Sequence, residues 1–302
     1  MEVKKFKIET SDALERVGYF WKSDIEPSIG NIVISHGMCE FALRYDHFAR
    51  FLNQNGYDVY ALDQVGHGEN APDGLGVWDE NSFKQCVKNL HTIMQQLRAT
   101  SKPTYLIGHS MGSFISQYYL QKYSRELHIQ KVVLIGTTGP RKIYRLGSCI
   151  ASIHAKFHKL NKPSKFLNSL SFGSFNKRIA KAERKTPHDW ICSNEEVVAK
   201  YAADERCTFI PSVGFYKSFY NSLKKLFIKK RLEWIPKDLP VLILGGSEDP
   251  VAQYGKGLHN LQATYAKYGI TSTVIEYEGM RHEILNEKDN LIVYNDILNF
   301  IK

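Results

Sequence analysis

The sequence predicts an α/β protein, with a mostly parallel β-sheet covered by helices on both faces and a helical insertion near the middle of the chain. Segments of strand length alternate with segments of helical length over the first 135 residues and again after residue 239. Between these two parts, from 140 to about 234, no clear buried strand is present. Alternating strands and helices predict a parallel sheet, because each crossover helix packs on a face of the sheet.

The expected strands are short and bounded by polar or turn-forming residues. The clearest is Asn-Ile-Val-Ile-Ser at 31–35, a compact apolar run that is typical of a buried strand. The expected strands are 3–8, 16–21, 31–35, 57–62, 103–108, 131–135, 239–244 and 273–278.

The expected helices have apolar residues at helical spacing. Ser82 is placed to cap the helix expected at 82–100. The apolar face of that helix consists of Phe83, Val87, Leu90, Met94 and Leu97. Further helices are expected at 43–55, 111–123 and 257–268, and the first of these is closed by Gly56 in a left-handed conformation. In the last helix, the residues expected on one face are Leu291, Tyr294, Leu298 and Ile301.

The segment 140–235 predicts a helical cap, or lid, inserted into a core formed by 1–139 and 236–302. Its residues 141–185 include 12 Lys or Arg and one acid, Glu183, a net charge of +11. The rest of the chain has 28 basic and 30 acidic residues, so the total of +9 comes from this segment. Such a block is typical of proteins that bind nucleic acid, an anionic membrane surface or an anionic substrate, and also of a solvated lysine-rich face.

The candidate nucleophile is Ser110, in the pentapeptide Gly108-His109-Ser110-Met111-Gly112. This GxSxG motif lies between an expected strand and an expected helix. A serine on such a sharp turn projects its hydroxyl at the edge of the sheet, and the flanking glycines permit close packing of the backbone.

A serine hydroxyl needs a histidine as base, and the histidine needs a carboxylate partner. Two histidines follow the insertion. His282 follows a strand in a loop, whereas His259 lies inside an expected helix, so His282 is preferred. The acid is expected just after the strand at 239–244, where Glu248 and Asp249 compete; Asp249 is favoured because the proline after it fixes an extended conformation.

Two backbone N–H groups should stabilise the oxyanion of a tetrahedral intermediate. One is that of Met111, directly after the nucleophile. The other is expected from Met38, in the loop that follows the strand at 31–35. His36 and Gly37 shape this turn, and His36 is interpreted as a structural residue.

With these residues in view, the chain resembles the monoacylglycerol lipase and lysophospholipase-like branch of the α/β-hydrolases. The matching stretches are His36-Gly37-Met38-Cys39-Glu40, Asp63-Gln64-Val65-Gly66-His67-Gly68, Gly108-His109-Ser110-Met111-Gly112, Gly246-Ser247-Glu248-Asp249-Pro250-Val251, and Arg281-His282-Glu283-Ile284-Leu285-Asn286-Glu287. The resemblance implies the α/β-hydrolase fold, a triad of Ser110, Asp249 and His282, oxyanion donors at Met38 and Met111, and a lid at about 140–235. Asn70 departs from the serine that is usual in the family.

The resemblance also implies hydrolysis of a carboxylic ester, most simply of a single-chain lipid such as a monoacylglycerol or lysophospholipid, without metal or organic cofactor. A carboxylesterase for short or aromatic esters would share every catalytic residue. An aminopeptidase would need acids in the cap, and Glu195, Glu196, Asp204 and Glu205 are available. A hydrolase fold reused as a binding module is a further alternative.

The expected partners are the small ester or lipid substrate and, through the basic cap, weak contact with an anionic membrane surface. Nucleic acid is not expected, because no recognition motif accompanies the charge. The chain starts without the pattern of a signal peptide and has no run of ~18 apolar residues. A cytoplasmic location is therefore expected, and the sequence does not indicate an oligomeric state.

Overall fold

The computed structural model of the chain describes residues 2–10, 14–126 and 129–302. The strands in this part of the chain are β1 (Lys4–Glu9), β2 (Glu15–Trp21), β3 (Gly30–Ser35), β4 (Tyr57–Leu62), β5 (Thr104–His109), β6 (Ile129–Ile135), β7 (Val241–Gly246) and β8 (Ser272–Tyr277). They form a sheet in the order β1-β2-β4-β3-β5-β6-β7-β8. β2 is antiparallel to β1 and β4, and the remaining pairs are parallel. The predicted, mostly parallel sheet is confirmed, with strand ends within two residues of those expected.

The central strands are buried on both faces, which explains their continuous apolar runs. Every residue of β3, β5 and β7 is buried. Alternate residues point to opposite faces: Ile32 and Ile34 join one apolar cluster, whereas Val33 joins the other. The edge strand β1 is instead mostly exposed and carries lysines, which discourage edge-to-edge pairing with another chain.

Helices cover both faces of the sheet, as predicted. The helices outside the insertion are α1 (Asp46–Gln54), α2 (Ser82–Arg98), α3 (Met111–Tyr123), α10 (Lys256–Lys267) and α11 (Asn290–Ile301). The buried apolar residues of α1 and α11 belong to one apolar cluster, and those of α2, α3 and α10 belong to the cluster on the other face.

Two details of the helix predictions were wrong. Ser82 is the first residue of α2 rather than its cap; the N-cap is Asn81, and the Ser82 hydroxyl bonds to the Asp79 carboxylate at 2.7 Å. Leu291 is 60% exposed, because it lies in the first turn of α11, beside the buried face that contains Tyr294. The expected cap at Gly56 is present, with φ +92°.

The segment 140–235 is helical, as expected, and contributes no strand to the sheet. Its helices are α4 (Lys142–Phe157), α5 (Lys165–Phe172), α6 (Glu195–Ala203), α7 (Glu205–Thr208), α8 (Val213–Leu226) and α9 (Lys229–Leu232). α4 packs on α8 where Gly147 meets Tyr220, whose Cδ1 would lie 2.8 Å from a Cβ at Gly147. The division of the chain into a core and a cap at these boundaries stays a prediction.

Across residues 2–10, 14–126 and 129–302, none of the helices combines the length and the apolar character needed to span a bilayer.

Candidate active site

The turn from β5 into α3 presents Ser110. Its backbone has φ +51° and ψ −119°, a left-handed φ that residues other than glycine rarely adopt. A hydrogen bond of 2.9 Å from the Ser110 N–H to the Ile135 carbonyl oxygen, at the end of β6, holds the turn. Ser110 is partly exposed although the six residues of β5 before it are buried. This geometry is that of a nucleophile elbow.

The two glycines of the pentapeptide allow the close packing around this turn. A Cβ at Gly108 would lie 2.5 Å from Ser116 Oγ and 2.7 Å from the Gly112 carbonyl oxygen. A Cβ at Gly112 would collide with the carbonyl oxygen of Ser35, at the end of β3. Any side chain at either position would therefore push α3 away from the strands that carry the site.

His282 and Asp249 lie in contact at the carboxyl ends of β8 and β7. The distance from His282 Nδ1 to Asp249 Oδ2 is 2.9 Å, and the two residues are 3% and 0% exposed. The Val251 N–H donates to Asp249 Oδ1 at 2.8 Å, so the two carboxylate oxygens have separate partners. A Cβ at Gly136 would lie 2.8 Å from His282 Cε1. The absence of a side chain at Gly136 therefore leaves room for the imidazole.

The two competing residues lie elsewhere. Glu248 is exposed. The His259 side chain, on α10, is 61% exposed and lies 3.3 Å from Glu276. Of the pairs considered from the sequence, the geometry favours Asp249 and His282.

The expected oxyanion donors line the same cavity as Ser110 and His282. Met111 is the first residue of α3, so its N–H is among the helical donors without an intrahelical acceptor. Met38 lies in the turn after β3. The Gly37 N–H donates to Glu40 Oε1, which shapes this turn, and a Cβ at Gly37 would lie 3.1 Å from Ser110 Cβ.

His36 has a structural position. It is fully buried, and its Nε2 accepts a hydrogen bond of 2.8 Å from the Gln64 N–H. Its Nδ1 lies 2.8 Å from the Gly37 carbonyl oxygen, so a neutral imidazole with its proton on Nδ1 satisfies both contacts. Asn70 is structural too, since its side chain bonds to both the N–H and the carbonyl of Val17 on β2.

The family model described as serine aminopeptidase, S33 (Hydrolase_4) matches residues 26–289. The chain belongs to this family. A monoacylglycerol lipase from Mycolicibacterium smegmatis is 27% identical over 93% of this chain and 90% of its own length. A phospholipase from Bacillus subtilis is 23% identical over 91% of this chain and 95% of its own. The crystal structure of a carboxyl esterase from Bacillus coagulans is 26% identical, with a TM-score of 0.89, and the match covers 100% of this chain and 98% of that one.

These similarities confirm the predicted α/β-hydrolase fold, the resemblance to monoacylglycerol lipases and the predicted class of enzyme, an ester hydrolase.

In this S33-family chain, a cavity of about 660 Å³ lies beside Ser110 and His282. The core supplies one wall and the helical insertion supplies the other. The large apolar and aromatic residues that the insertion contributes are Ile143, Tyr144, Leu170, Phe172, Phe175, Trp190, Ile191, Tyr201, Phe209, Ile210, Phe219, Tyr220 and Leu223. The Trp190 ring lies 5.1 Å from the His282 ring, so the insertion reaches the candidate base directly.

Sequence reasoning missed a buried ionic cluster behind the site, formed by Glu40, Arg44, His109 and Glu283. Arg44 contacts both carboxylates, and His109 Nδ1 lies 3.0 Å from Glu40 Oε1. Two local signals were available: Glu40 and Glu283 stand inside the motifs quoted above, and Arg44 follows Glu40 at the i,i+4 spacing of a helical ion pair.

The charges in this cluster stabilise one another. Burial by itself would raise the pKa of Glu40, but the hydrogen bond and charge of His109, together with Arg44, lower it overall. Burial by itself would lower the pKa of His109, but the hydrogen bond and charge of Glu40 raise it above its usual value.

No group of His, Cys, Asp or Glu side chains in the described ranges is arranged to hold a metal ion.

Proposed function

We propose that this protein is a serine hydrolase that cleaves carboxylic esters of single-chain lipids, monoacylglycerols or lysophospholipids, through Ser110, His282 and Asp249. The observation that supports it best is the placement of an elbow serine and of the 2.9 Å His282–Asp249 pair beside one cavity of about 660 Å³. A space of that size with mostly apolar and aromatic walls fits a chain of methylene groups.

In the proposed mechanism, His282 takes the proton of Ser110 as the serine oxygen attacks the ester carbonyl. Asp249 holds the imidazole in the required orientation and stabilises its charged form. The Met38 and Met111 N–H groups donate to the oxyanion of the tetrahedral intermediate. His282 then protonates the leaving alcohol, and water, activated by the same histidine, hydrolyses the acyl-enzyme.

The substrate class is supported by the relatives and by the cavity together. Two relatives that match more than nine-tenths of this chain are a monoacylglycerol lipase and a phospholipase. The carboxylates that line the cavity, among the described residues, are Glu40 and Glu283, and both are paired with Arg44. An uncompensated anionic group that would recognise a free amine is therefore not found there.

The aminopeptidase alternative depended on acids in the insertion. Glu195, Glu196 and Glu205 are exposed, and Glu195 pairs with Lys185. Asp204 pairs with Arg206. None of the four lines the cavity. The structure thus offers this activity less support than it offers ester hydrolysis.

We further propose that 140–235 is a lid whose outer face contacts an anionic membrane surface. On α4, an apolar stripe at spacings of three and four residues runs through Ile143, Leu146, Ile150, Ile153 and Phe157, and all of these except the half-buried Ile150 are exposed. Leu146, Ile153 and Phe157 are 58%, 51% and 78% exposed. The exposed Phe166 and Leu170 of α5 extend this surface, and Ile143 and Leu170 also line the cavity.

Basic residues flank this stripe, among them the exposed Lys142, Arg145 and Lys156 of α4. An exposed apolar face bordered by lysine and arginine is typical of helices that lie at a lipid interface. A lipid ester could then pass from the interface into the cavity where the two surfaces meet. Binding to anionic vesicles tests this contact.

A panel of p-nitrophenyl esters with acyl chains of two to sixteen carbons, measured on the wild type and on Ser110→Ala, tests the function. We expect activity in the wild type alone, with the highest kcat/KM at eight carbons or more, followed by turnover of monoacylglycerols or lysophospholipids. Activity confined to two to four carbons would instead support a carboxylesterase for small esters. A wild type that neither hydrolyses any ester nor reacts with a serine-directed phosphonate would contradict the proposal and favour a binding module.

A further inference from the structure

We propose that Arg44 is a positioning residue for this hydrolase, because it ties the loop that carries His282 to the loop that carries Met38. The proposal rests on the function proposed above. Nothing in the fold requires these loops to be joined: they follow β8 and β3, which are not neighbours in the sheet.

The guanidinium of Arg44 contacts one carboxylate from each loop. It donates to both oxygens of Glu283, with Nη1–Oε1 and Nη2–Oε2 distances of 2.7 Å. Its Nη1 also donates to Glu40 Oε2 at 3.1 Å. The paired contact with Glu283 has the fork geometry that arginine forms with a carboxylate and that lysine cannot reproduce. The Arg44 side chain is 12% exposed, and those of Glu283 and Glu40 are 5% and 4% exposed.

On one side, Glu40 transmits the position of Arg44 to the expected oxyanion loop and to the elbow. Its Oε1 accepts from the Gly37 N–H, next to Met38, and from the Tyr45 hydroxyl at 2.9 Å. The same oxygen lies 3.0 Å from Nδ1 of His109, the residue that precedes Ser110. Displacement of Glu40 would therefore move two of the groups that face the substrate.

On the other side, Glu283 fixes the backbone directly after the candidate base. Its N–H donates to the Ile191 carbonyl oxygen at 2.6 Å, and its Oε2 accepts from the Asn286 side chain at 2.8 Å. The insertion also reaches Arg44, whose guanidinium lies 4.9 Å from the centre of the Tyr201 ring. The same cluster thus joins the base, the oxyanion loop and the insertion.

The charges of the cluster balance when His109 is protonated, since two buried carboxylates then face two cations. The raised pKa of His109, caused chiefly by Glu40 against the opposing effect of burial, is consistent with that state. Removing Arg44 would leave two carboxylates to share one cation, whereas removing the charge of Glu283 leaves Arg44 paired with Glu40 alone.

The test compares Glu283→Gln and Arg44→Met with the wild type in kcat, KM and the midpoint of thermal unfolding. We expect kcat to fall about tenfold to a hundredfold with KM within about twofold, because small displacements of reacting groups lower turnover of bound substrate. Arg44→Lys, which keeps the charge without the fork, should lie between Arg44→Met and the wild type. When Glu283→Gln and Arg44→Met are combined, kcat should fall no further than in Arg44→Met alone, because both substitutions break the same cluster.

Asp58→Asn is the matched control. Asp58 is a buried carboxylate paired with Lys102 at 3.1 Å, on β4 near the opposite end of the sheet from Ser110. It should lower the unfolding midpoint without changing kcat. If Glu283→Gln and Arg44→Met behave in the same way, with kcat unchanged per folded molecule, the positioning role is wrong. If Arg44→Met does not fold, Glu283→Gln alone decides between these results. A wild type without esterase activity would overturn the proposed function itself, and this role with it.

Discussion

Ser110 shows how a catalytic position constrains the residues around it. Its left-handed backbone, with φ +51°, persists because β5, α3 and the Ile135 carbonyl hold it from three sides. Gly112 is the residue that lets α3 approach β3, since a Cβ there would collide with the Ser35 carbonyl oxygen. The left-handed backbone of Ser110 and the missing side chains at Gly108 and Gly112 are therefore all required for the same turn.

We expect Gly112→Ala to lower the free energy of unfolding by about 3 kcal/mol, the upper end for an overpacked interior site. Gly269→Ala is the control, because Gly269 has φ +73° and its Cβ would meet only Lys237 Cδ at 3.8 Å. That variant should cost about 1 kcal/mol, from the left-handed conformation alone. Urea unfolding measures both, and equal losses would show that contact with Ser35 is not the cause.

His109 predicts a pH dependence of stability. Its pKa in the folded protein is raised above 6.5, mainly through Glu40 and against the effect of burial. The folded protein therefore retains a proton that the unfolded chain releases near pH 6.5. This contribution to stability is complete below that pH and is lost as the pH rises through the folded pKa.

We expect the free energy of unfolding to fall less between pH 6 and pH 9 in His109→Gln than in the wild type. Denaturant unfolding at several pH values gives the slopes. A His109→Gln slope equal to that of the wild type would mean that His109 does not hold this proton.

At the scale of elements, the sheet could be predicted because its signals are local. The apolar run at 31–35 and the switch from strand to helix at Ser110 are read within a few residues, and both agree with β3, β5 and α3. Leu291 is exposed although its spacing fits the helix, because it lies beside the buried face of α11, whereas Val293 in the same turn is fully buried. Periodicity identifies a face, and the tertiary structure decides how far that face is buried.

The residues of the candidate site also fall into those that local sequence signals predict and those that depend on the tertiary structure. Ser110, Asp249 and His282 follow strands in recognisable motifs, so their approach at the sheet edge could be expected from the order of the chain. For Arg44 the sequence offers a local signal only for its pairing with Glu40, and for Trp190 it offers none. The partners of Arg44 lie four residues away at Glu40 and 239 residues away at Glu283. Trp190 reaches His282 only because the insertion folds back over the core.

Trp190 gives a prediction for the insertion as an element. Its ring lies 5.1 Å from His282, and the rings of Phe172 and Phe175 pack against it at 6.1 Å and 4.9 Å. Replacing it by alanine opens the cavity beside the base. We expect the kcat/KM ratio of 1-naphthyl to methyl butyrate to rise about tenfold in Trp190→Ala, because the pocket loses a steric restriction on the bulky alcohol group.

Trp234→Ala is the control for this experiment, because Trp234 is 43% exposed and packs on Arg125 rather than on the cavity. It should leave the ratio unchanged. If the naphthyl-to-methyl ratio is the same in Trp190→Ala and Trp234→Ala, Trp190 does not limit the size of the alcohol group that the cavity accepts.

At the scale of the whole molecule, charge is separated from catalysis. Residues 141–185 carry a net charge of +11, whereas the remainder of the chain carries −2. The sheet and the candidate triad belong to that nearly neutral remainder. An anionic surface would therefore attract one side of the molecule and orient it, as long as salt does not screen the attraction.

This orientation can be measured with vesicles that contain phosphatidylglycerol. Lys159 and Lys162 lie exposed between α4 and α5, next to Phe157 and Phe166. Each basic residue near an anionic bilayer contributes about 1 kcal/mol, so loss of the two lysines alone weakens vesicle binding about thirtyfold. The new carboxylates in Lys159→Glu with Lys162→Glu add repulsion, so this variant should weaken binding by more than about thirtyfold. Phe157→Ser should weaken it independently, by removing apolar area from the interface.

The control is Lys4→Glu with Lys5→Glu on the edge strand β1, which reverses the same number of charges at a site away from the insertion. Its vesicle binding should stay within about threefold of the wild type, because salt screens distant exposed charges. Hydrolysis of p-nitrophenyl butyrate in solution should be unchanged in all of these variants, because none touches the cavity. If 0.5 M salt and the Lys159 and Lys162 reversals both leave vesicle binding intact, the basic segment is a solvated face. Substrate would then reach Ser110 from solution rather than from a bilayer.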